Sequence, residues 1–120
     1  MQVLFLDVAG RLDMVTCRHE HGAAMMAEAR GKLTGERGIC LVTRGPGACN
    51  APIGVHTAFQ DSTPMLLLVG QVARPFSGRE AFQEVDFTAM FRPLALVYAS
   101  IRRRSARATR STHVRAVGAA

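Results

Sequence analysis

No run of about 18 or more uncharged apolar residues occurs in this 120-residue sequence, so nothing in it reads as a membrane-spanning helix, although 48% of it is hydrophobic. The apolar run at residues 65–69 is only strand-sized. A basic n-region and a small-residue cleavage site are both missing from Met1-Gln2-Val3-Leu4-Phe5-Leu6-Asp7, which argues against a secretory signal and makes a cytoplasmic setting the expectation. Cys17, Cys40 and Cys49 are odd in number and have no CxxC spacing. That excludes a disulfide framework and a cysteine zinc site, and the three read as reduced thiols. His19 and His21 lack the acidic cluster that would complete a ligand set, so no metal is expected on this chain's own residues.

Negative charge is missing from one end. Fifteen Lys or Arg against nine Asp or Glu give a formal net charge of +6. All nine acids and nine of the fifteen bases fall within residues 1–100, leaving that body neutral. The excess is Arg102, Arg103, Arg104, Arg107, Arg110 and Arg115, in a stretch with no acid and few large apolar residues. No aromatic residue interleaves these arginines and no groove-reading motif precedes them, so a basic nucleic-acid-binding module is a weak alternative. The composition divides the chain into one small domain at residues 1–98 and an Arg-rich tail at 99–120 that is expected to be disordered.

Short β-rich runs at residues 14–17, 39–43 and 65–70 are each followed by a segment of helical character. This alternation predicts an α/β fold with an open parallel sheet and flanking helices. A long helix is expected over residues 20–34, with Gly22, Met25, Met26, Ala29 and Leu33 on one face, a Glu28–Lys32 pair on another, and Gly35 as its stop. A second helix is expected from Asn50 as N-cap, with Pro52 in its first turn and Phe59 in the core, ending at Gln60 and Asp61. Residues 80–87 read as a short helix or ordered loop. Between the second strand and its helix lies Arg44-Gly45-Pro46-Gly47-Ala48, where open α/β sheets place ligands.

Familiar phosphate motifs do not fit. Gly31-Lys32-Leu33-Thr34 has no glycine five residues before Gly31 and closes a helix instead of opening one. Gly45-Pro46-Gly47 lacks the third glycine of a dinucleotide fingerprint and by itself reads as a tight turn.

Five segments in order say more: Arg18-His19-Glu20-His21-Gly22-Ala23-Ala24, Thr43-Arg44-Gly45-Pro46-Gly47-Ala48-Cys49-Asn50, His56-Thr57-Ala58-Phe59-Gln60-Asp61-Ser62-Thr63-Pro64, Gly70-Gln71-Val72 and Glu80-Ala81-Phe82-Gln83-Glu84-Val85-Asp86. Together, over about residues 12–95, they closely resemble the pyrimidine-binding domain of acetolactate synthase and related thiamine-diphosphate enzymes that decarboxylate and ligate 2-keto acids. The resemblance implies that Glu20 is the catalytic carboxyl that hydrogen-bonds the cofactor's aminopyrimidine, held in a mostly apolar pocket where it favours its protonated form or shares its proton with the ring nitrogen. That bond promotes the imino tautomer, which takes the thiazolium C2 proton. Read without the resemblance, Glu20 is an acid complementing the dipole of a helix's first turn. The resemblance also implies that Gly45, Pro46, Gly47 and Asn50 bind the cofactor and makes His19 and His21, which flank Glu20, candidates for its pocket, with plain polar residues at a helix start as the alternative. Phe82 and Gln83 match a segment that approaches a neighbouring subunit's active site, with packing on their own domain as the alternative. Cys49, where relatives usually carry threonine, and Pro52 depart from the family pattern.

Missing altogether is the Gly-Asp-Gly that marks the family's diphosphate- and Mg²⁺-binding domain. An extra strand and helix upstream are missing too, and after Arg92-Pro93-Leu94-Ala95 the resemblance fades. The expectation is a fragment of an enzyme of the lyase and transferase type. It would work only in a homo-oligomer or with a complementary chain, and whether it is an enzyme by itself stays open. A truncated or frameshifted remnant without activity is the competing reading. Thiamine diphosphate is the implied cofactor. FAD occurs in the family, and no residue here indicates it.

Overall fold

A computed structural model describes residues 10–94. The domain boundary expected at residue 98 and the tail at 99–120 lie outside the described residues. Within them the chain runs α1 (Glu20–Thr34), β1 (Gly38–Val42), α2 (Pro46–Asn50), α3 (Pro52–Gln60), β2 (Met65–Val69), a 3₁₀ turn (Arg74–Phe76) and α4 (Phe87–Phe91). β1 and β2 pair in parallel, in register from Gly38 opposite Met65 to Val42 opposite Val69. Parallel neighbours need a crossover, and α2 with α3 supply it, so residues 38–69 form a βαβ unit. The expected open parallel sheet with flanking helices is present, with two strands among the described residues.

The run at residues 14–17 is a correction: it carries no strand. Met14 and Val15 are both exposed, so its apolar residues have no sheet face to enter.

Helix α1 has the bounds its sequence signals predict, closed by Gly35 at φ 70° with its amide bonded to the Gly31 carbonyl at 2.9 Å. Its buried face is another matter. Ala24, Ala27, Glu28 and Gly31 are the buried positions, spaced i, i+3, i+4 and i+7, while Gly22 and Met26 are exposed and Leu33 is 85% exposed. The expected apolar face is therefore roughly half a turn from the one that packs. The reason is separation. A Cβ at Gly38, the first residue of β1, would fall onto the Ala27 carbonyl oxygen, so helix and strand meet backbone to backbone and only small side chains fit between them.

The core on that face of the sheet is built from Ala24, Ala27, Cys40, Val42, Ala48, Ala51, Val55, Phe87 and Phe91. Cys40 and Val42 point into it, and the alternate residues Ile39 and Leu41 face outward. Burial pushes the Cys40 thiol up from its ordinary value, which keeps it protonated and unreactive.

The Glu28–Lys32 pair is also a correction. Lys32 reaches across to Asp61 at the end of α3, at 2.5 Å, and that carboxylate raises the ammonium's pKa. Glu28 is buried, at 4% exposure, and accepts from the Thr63 hydroxyl at 3.4 Å. Phe59, expected in the core, is 37% exposed, because α3 turns Val55 and Ala58 inward instead. Asn50 does not cap α3: it closes α2, and Ala51 precedes Pro52. Residues 80–86 form an ordered loop, and helix begins only at Phe87, where Asp86 caps α4 by accepting from the Ala89 amide at 3.0 Å.

Candidate functional site

Two helix starts and one turn build the site. His19 is the N-cap of α1, and its ring Nδ1 accepts from the His21 amide at 3.2 Å. That fixes the next residue, Glu20, as the first of the helix. Some twenty residues on, β1 ends and the chain reverses at Gly45, whose φ of 61° and ψ of −119° suit a residue without a side chain. Pro46 then occupies the first position of α2, where its missing N–H costs nothing, and the Cys49 amide bonds back to the Gly45 carbonyl at 3.0 Å.

α2 delivers two residues to Glu20. Asn50 donates its Nδ2 to the Glu20 Oε2 at 3.0 Å, across thirty residues of sequence. Gly47 lies under the other oxygen: a Cβ there would stand 3.2 Å from Glu20 Oε1 and 2.7 Å from Thr43 Cγ2. The half-buried carboxyl is thus gripped by an amide on one side and packed against the bare Cα of Gly47 on the other.

The Asn50 bond, and next the backbone N–H of Glu20 itself, hold this carboxyl below its ordinary value, outweighing the rise that partial burial causes; the nearby His19 ring adds to the lowering. Hydrogen bonds, not desolvation, dominate at this carboxyl, opposite in direction to the rise that an apolar pocket would cause. Because the folded value lies below the unfolded one, the carboxylate contributes stability above the unfolded pKa, and that contribution is lost as pH falls through the folded value.

Gly47→Ala is expected to push this carboxylate off Asn50. The backbone conformation tolerates alanine, so the cost is the collision with Thr43 and Glu20, about 1–3 kcal/mol of stability. NMR titration of Glu20 should show its pKa rising toward the ordinary value. An unchanged titration would mean that Thr43 alone gives way.

The comparisons with known proteins bear on this geometry. The family model for the thiamine pyrophosphate enzyme, N-terminal TPP binding domain, matches residues 4–90. The chain belongs to this family. It is similar to the acetolactate synthase isozyme 3 large subunit of Escherichia coli K12, 47% identical over 89 residues, which are 74% of this chain and 16% of that protein. It is also similar to the isozyme 2 large subunit of the same organism, 48% identical over 77 residues, 64% of this chain and 14% of that protein. The acetolactate synthase large subunit of Porphyra purpurea is 48% identical over 80 residues, covering 67% and 14% of the two chains. The chain thus spans about a sixth of the length of the relatives it matches.

Of the residues singled out in this TPP-enzyme N-terminal domain, Glu20, Gly47 and Asn50 come together, with Gly45 and Pro46 shaping the turn between them. His19 and His21 stand beside Glu20, both exposed, with their rings edge to face at 6.1 Å. Gln83 lies on the turn through its backbone: a Cβ at Gly45 would meet Gln83 Cβ at 2.6 Å and its carbonyl oxygen at 3.1 Å. Phe82 is 81% exposed among the described residues. Among the described residues no cluster of three or more His, Cys, Asp or Glu could hold a metal ion, and no helix is long and apolar enough to cross a membrane.

Three residues beside the site went unassigned in the sequence. Arg44, next to the turn, has a buried Nε without a hydrogen-bond partner. Gln71 donates to the Val85 carbonyl at 2.9 Å, and Glu84 accepts two backbone amides. All three lie inside the family-like segments, but residue type gives no signal for bonds made to distant backbone groups.

Proposed function

We propose that this domain forms the aminopyrimidine half of a thiamine-diphosphate site in an acetolactate synthase-like enzyme that decarboxylates and ligates 2-keto acids. The observation that supports this most is the Glu20 carboxyl at the start of α1, pinned at Oε2 by Asn50 and seated against the bare Cα of Gly47 in the glycine-lined turn. Such a group shares one proton with a basic ring nitrogen: protonated, the carboxyl donates to the nitrogen, and ionised, it accepts from the ring N–H and stabilises the positive charge there. Asn50 and the close approach of Gly47 together set the plane of the carboxyl, so that it meets a flat ring in one orientation. Gly45 and Pro46 bring Gly47 close enough for this, and His19 and His21 flank the carboxylate at the helix start. When bound, thiamine diphosphate supplies the carbon nucleophile and the electron sink of the reaction.

The diphosphate and Mg²⁺ contacts are assigned to a Gly-Asp-Gly segment that this sequence does not contain, supplied by a complementary chain or by the rest of a longer enzyme. Phe82, exposed beside the turn, is proposed to face a neighbouring subunit of a homo-oligomer.

Calorimetric titration with parts of the cofactor tests the assignment. The free aminopyrimidine alcohol, thiamine and thiamine diphosphate should all bind with similar affinity, and Mg²⁺ should make no difference, because charge-assisted diphosphate contacts are not made by these residues. The thiazole alcohol alone should not bind. Binding of the thiazole alcohol in preference to the aminopyrimidine would overturn the reading, as would no binding of any of the four.

A further inference from the structure

The loop between the 3₁₀ turn and α4 is held by one carboxylate. Glu84 accepts the Gly78 amide on Oε1 at 2.6 Å and the Ala81 amide on Oε2 at 3.1 Å, so each oxygen closes a different part of residues 78–84. These backbone bonds hold the Glu84 carboxyl below its ordinary value, the Gly78 amide first. The closed loop is not relaxed: Glu80 and Gln83 sit at φ 54° and 64°, in the left-handed region that non-glycine residues avoid, and Gly78 is at φ 78°. A conformation of that kind persists only where surrounding bonds over-determine it.

Those bonds have firm anchors. After Glu84, Gln71 donates to the Val85 carbonyl at 2.9 Å while its own Oε1 accepts the Val72 amide at 2.9 Å, tying the loop to the chain leaving β2. Phe87 and Phe91 then fix α4 in the core. The outcome of the strained bend is the seating of Gln83 against Gly45, at a distance no other residue type at position 45 would allow. Gly45 in turn opens the helix that carries Gly47 and Asn50 to Glu20.

We infer that Glu84 is a positioning residue for the candidate site: its carboxylate folds residues 78–84 into a clasp that seats Gln83 on Gly45 and thereby holds the Gly45–Asn50 turn against Glu20. The clasp stands on the geometry alone. Its consequence for a cofactor rests on the proposed function.

Hydrogen exchange on the full chain, with Glu84→Ala and Glu84→Gln, tests it. In Glu84→Ala the Gly78 and Ala81 amides should exchange about tenfold to a hundredfold faster, since each loses a charged acceptor. The Cys49 amide, which bonds to the Gly45 carbonyl, should accelerate with them, while the β1 and β2 amides keep their protection. Glu84→Gln keeps one acceptor oxygen and should fall between wild type and Glu84→Ala at all three sites. Acceleration of Gly78 and Ala81 with an unchanged Cys49 amide would show a carboxylate serving its own loop only, and would overturn the inference. Should Glu84→Ala expose the strand amides as well, the same comparison of loop and Cys49 amides in Glu84→Gln decides. Because no ligand enters the measurement, failure of thiamine to bind would sink the proposed function and leave the clasp standing.

Discussion

Replacing Gly38 by alanine is expected to abolish the cooperative unfolding transition of this domain. The added methyl would sit on the carbonyl oxygen of Ala27, with the carbonyl carbon and Cα of the same residue also in its way. Backbone atoms in the middle of a helix cannot rotate aside as a side chain does. Relief therefore requires α1 to lift off β1 as a body, and that opens the packing of Ala24, Ala27 and Cys40 together. Ordinary overpacking costs about 1–3 kcal/mol, and a collision with backbone exceeds that range, against a total stability of about 5–15 kcal/mol for a whole domain. Urea or thermal denaturation checks the expectation, with the outward-facing Ile39→Ala as the control that should keep its transition. A Gly38→Ala midpoint equal to wild type would show that helix and strand can separate at no cost.

The same close approach explains which parts of the fold were legible beforehand. The ends of α1 follow local rules, a polar N-cap at His19 and a left-handed glycine at Gly35, and local rules can be read along the chain. So could the strands: Gly38–Val42 and Met65–Val69 are short β-rich runs bounded by turn residues. The buried face of α1 could not. Hydrophobicity points to Met25, Met26 and Leu33, whereas the packed face is Ala24, Ala27, Glu28 and Gly31, and which of two faces packs depends on the backbone approach of Ala27 to Gly38. Asn50 illustrates the same divide at the site. Its residue type and its place before Pro52 suggest a helix cap, but its amide is spent on Glu20 thirty residues away. Ordered family-like motifs brought Glu20, Gly47 and Asn50 to attention, and geometry then showed what each does for the other. The Asn50 bond that holds the Glu20 carboxyl low spans thirty residues and has no local signal in the chain. Glu84 was out of reach for a related reason, since the Gly78 and Ala81 groups it holds are backbone amides.

Among substitutions that leave the fold intact, Glu20→Gln is expected to have the largest functional effect. Glutamine keeps the size of the side chain and can keep one bond to Asn50, but it carries no charge and cannot take a proton. Thiamine affinity should fall about tenfold to a hundredfold, the worth of a hydrogen bond to a charged group. In an assembly that turns over a 2-keto acid, kcat should fall about 10²- to 10⁴-fold, the range of a lost acid–base group. Asn50 provides the control that separates charge from shape. Asn50→Ala removes the largest influence holding the carboxyl low, so the Glu20 pKa should rise, and the pH below which binding is lost should move upward with it. Asn50→Asp should move that limit further, because two carboxylates at this separation oppose each other's ionisation. At neutral pH Asn50→Ala should weaken binding less than Glu20→Gln, and the double variant should be no weaker than Glu20→Gln alone, since Asn50 acts through the group already removed. Additive losses in that cycle would mean that Asn50 touches the ligand itself; equal affinities for wild type and Glu20→Gln would remove the carboxylate from the site.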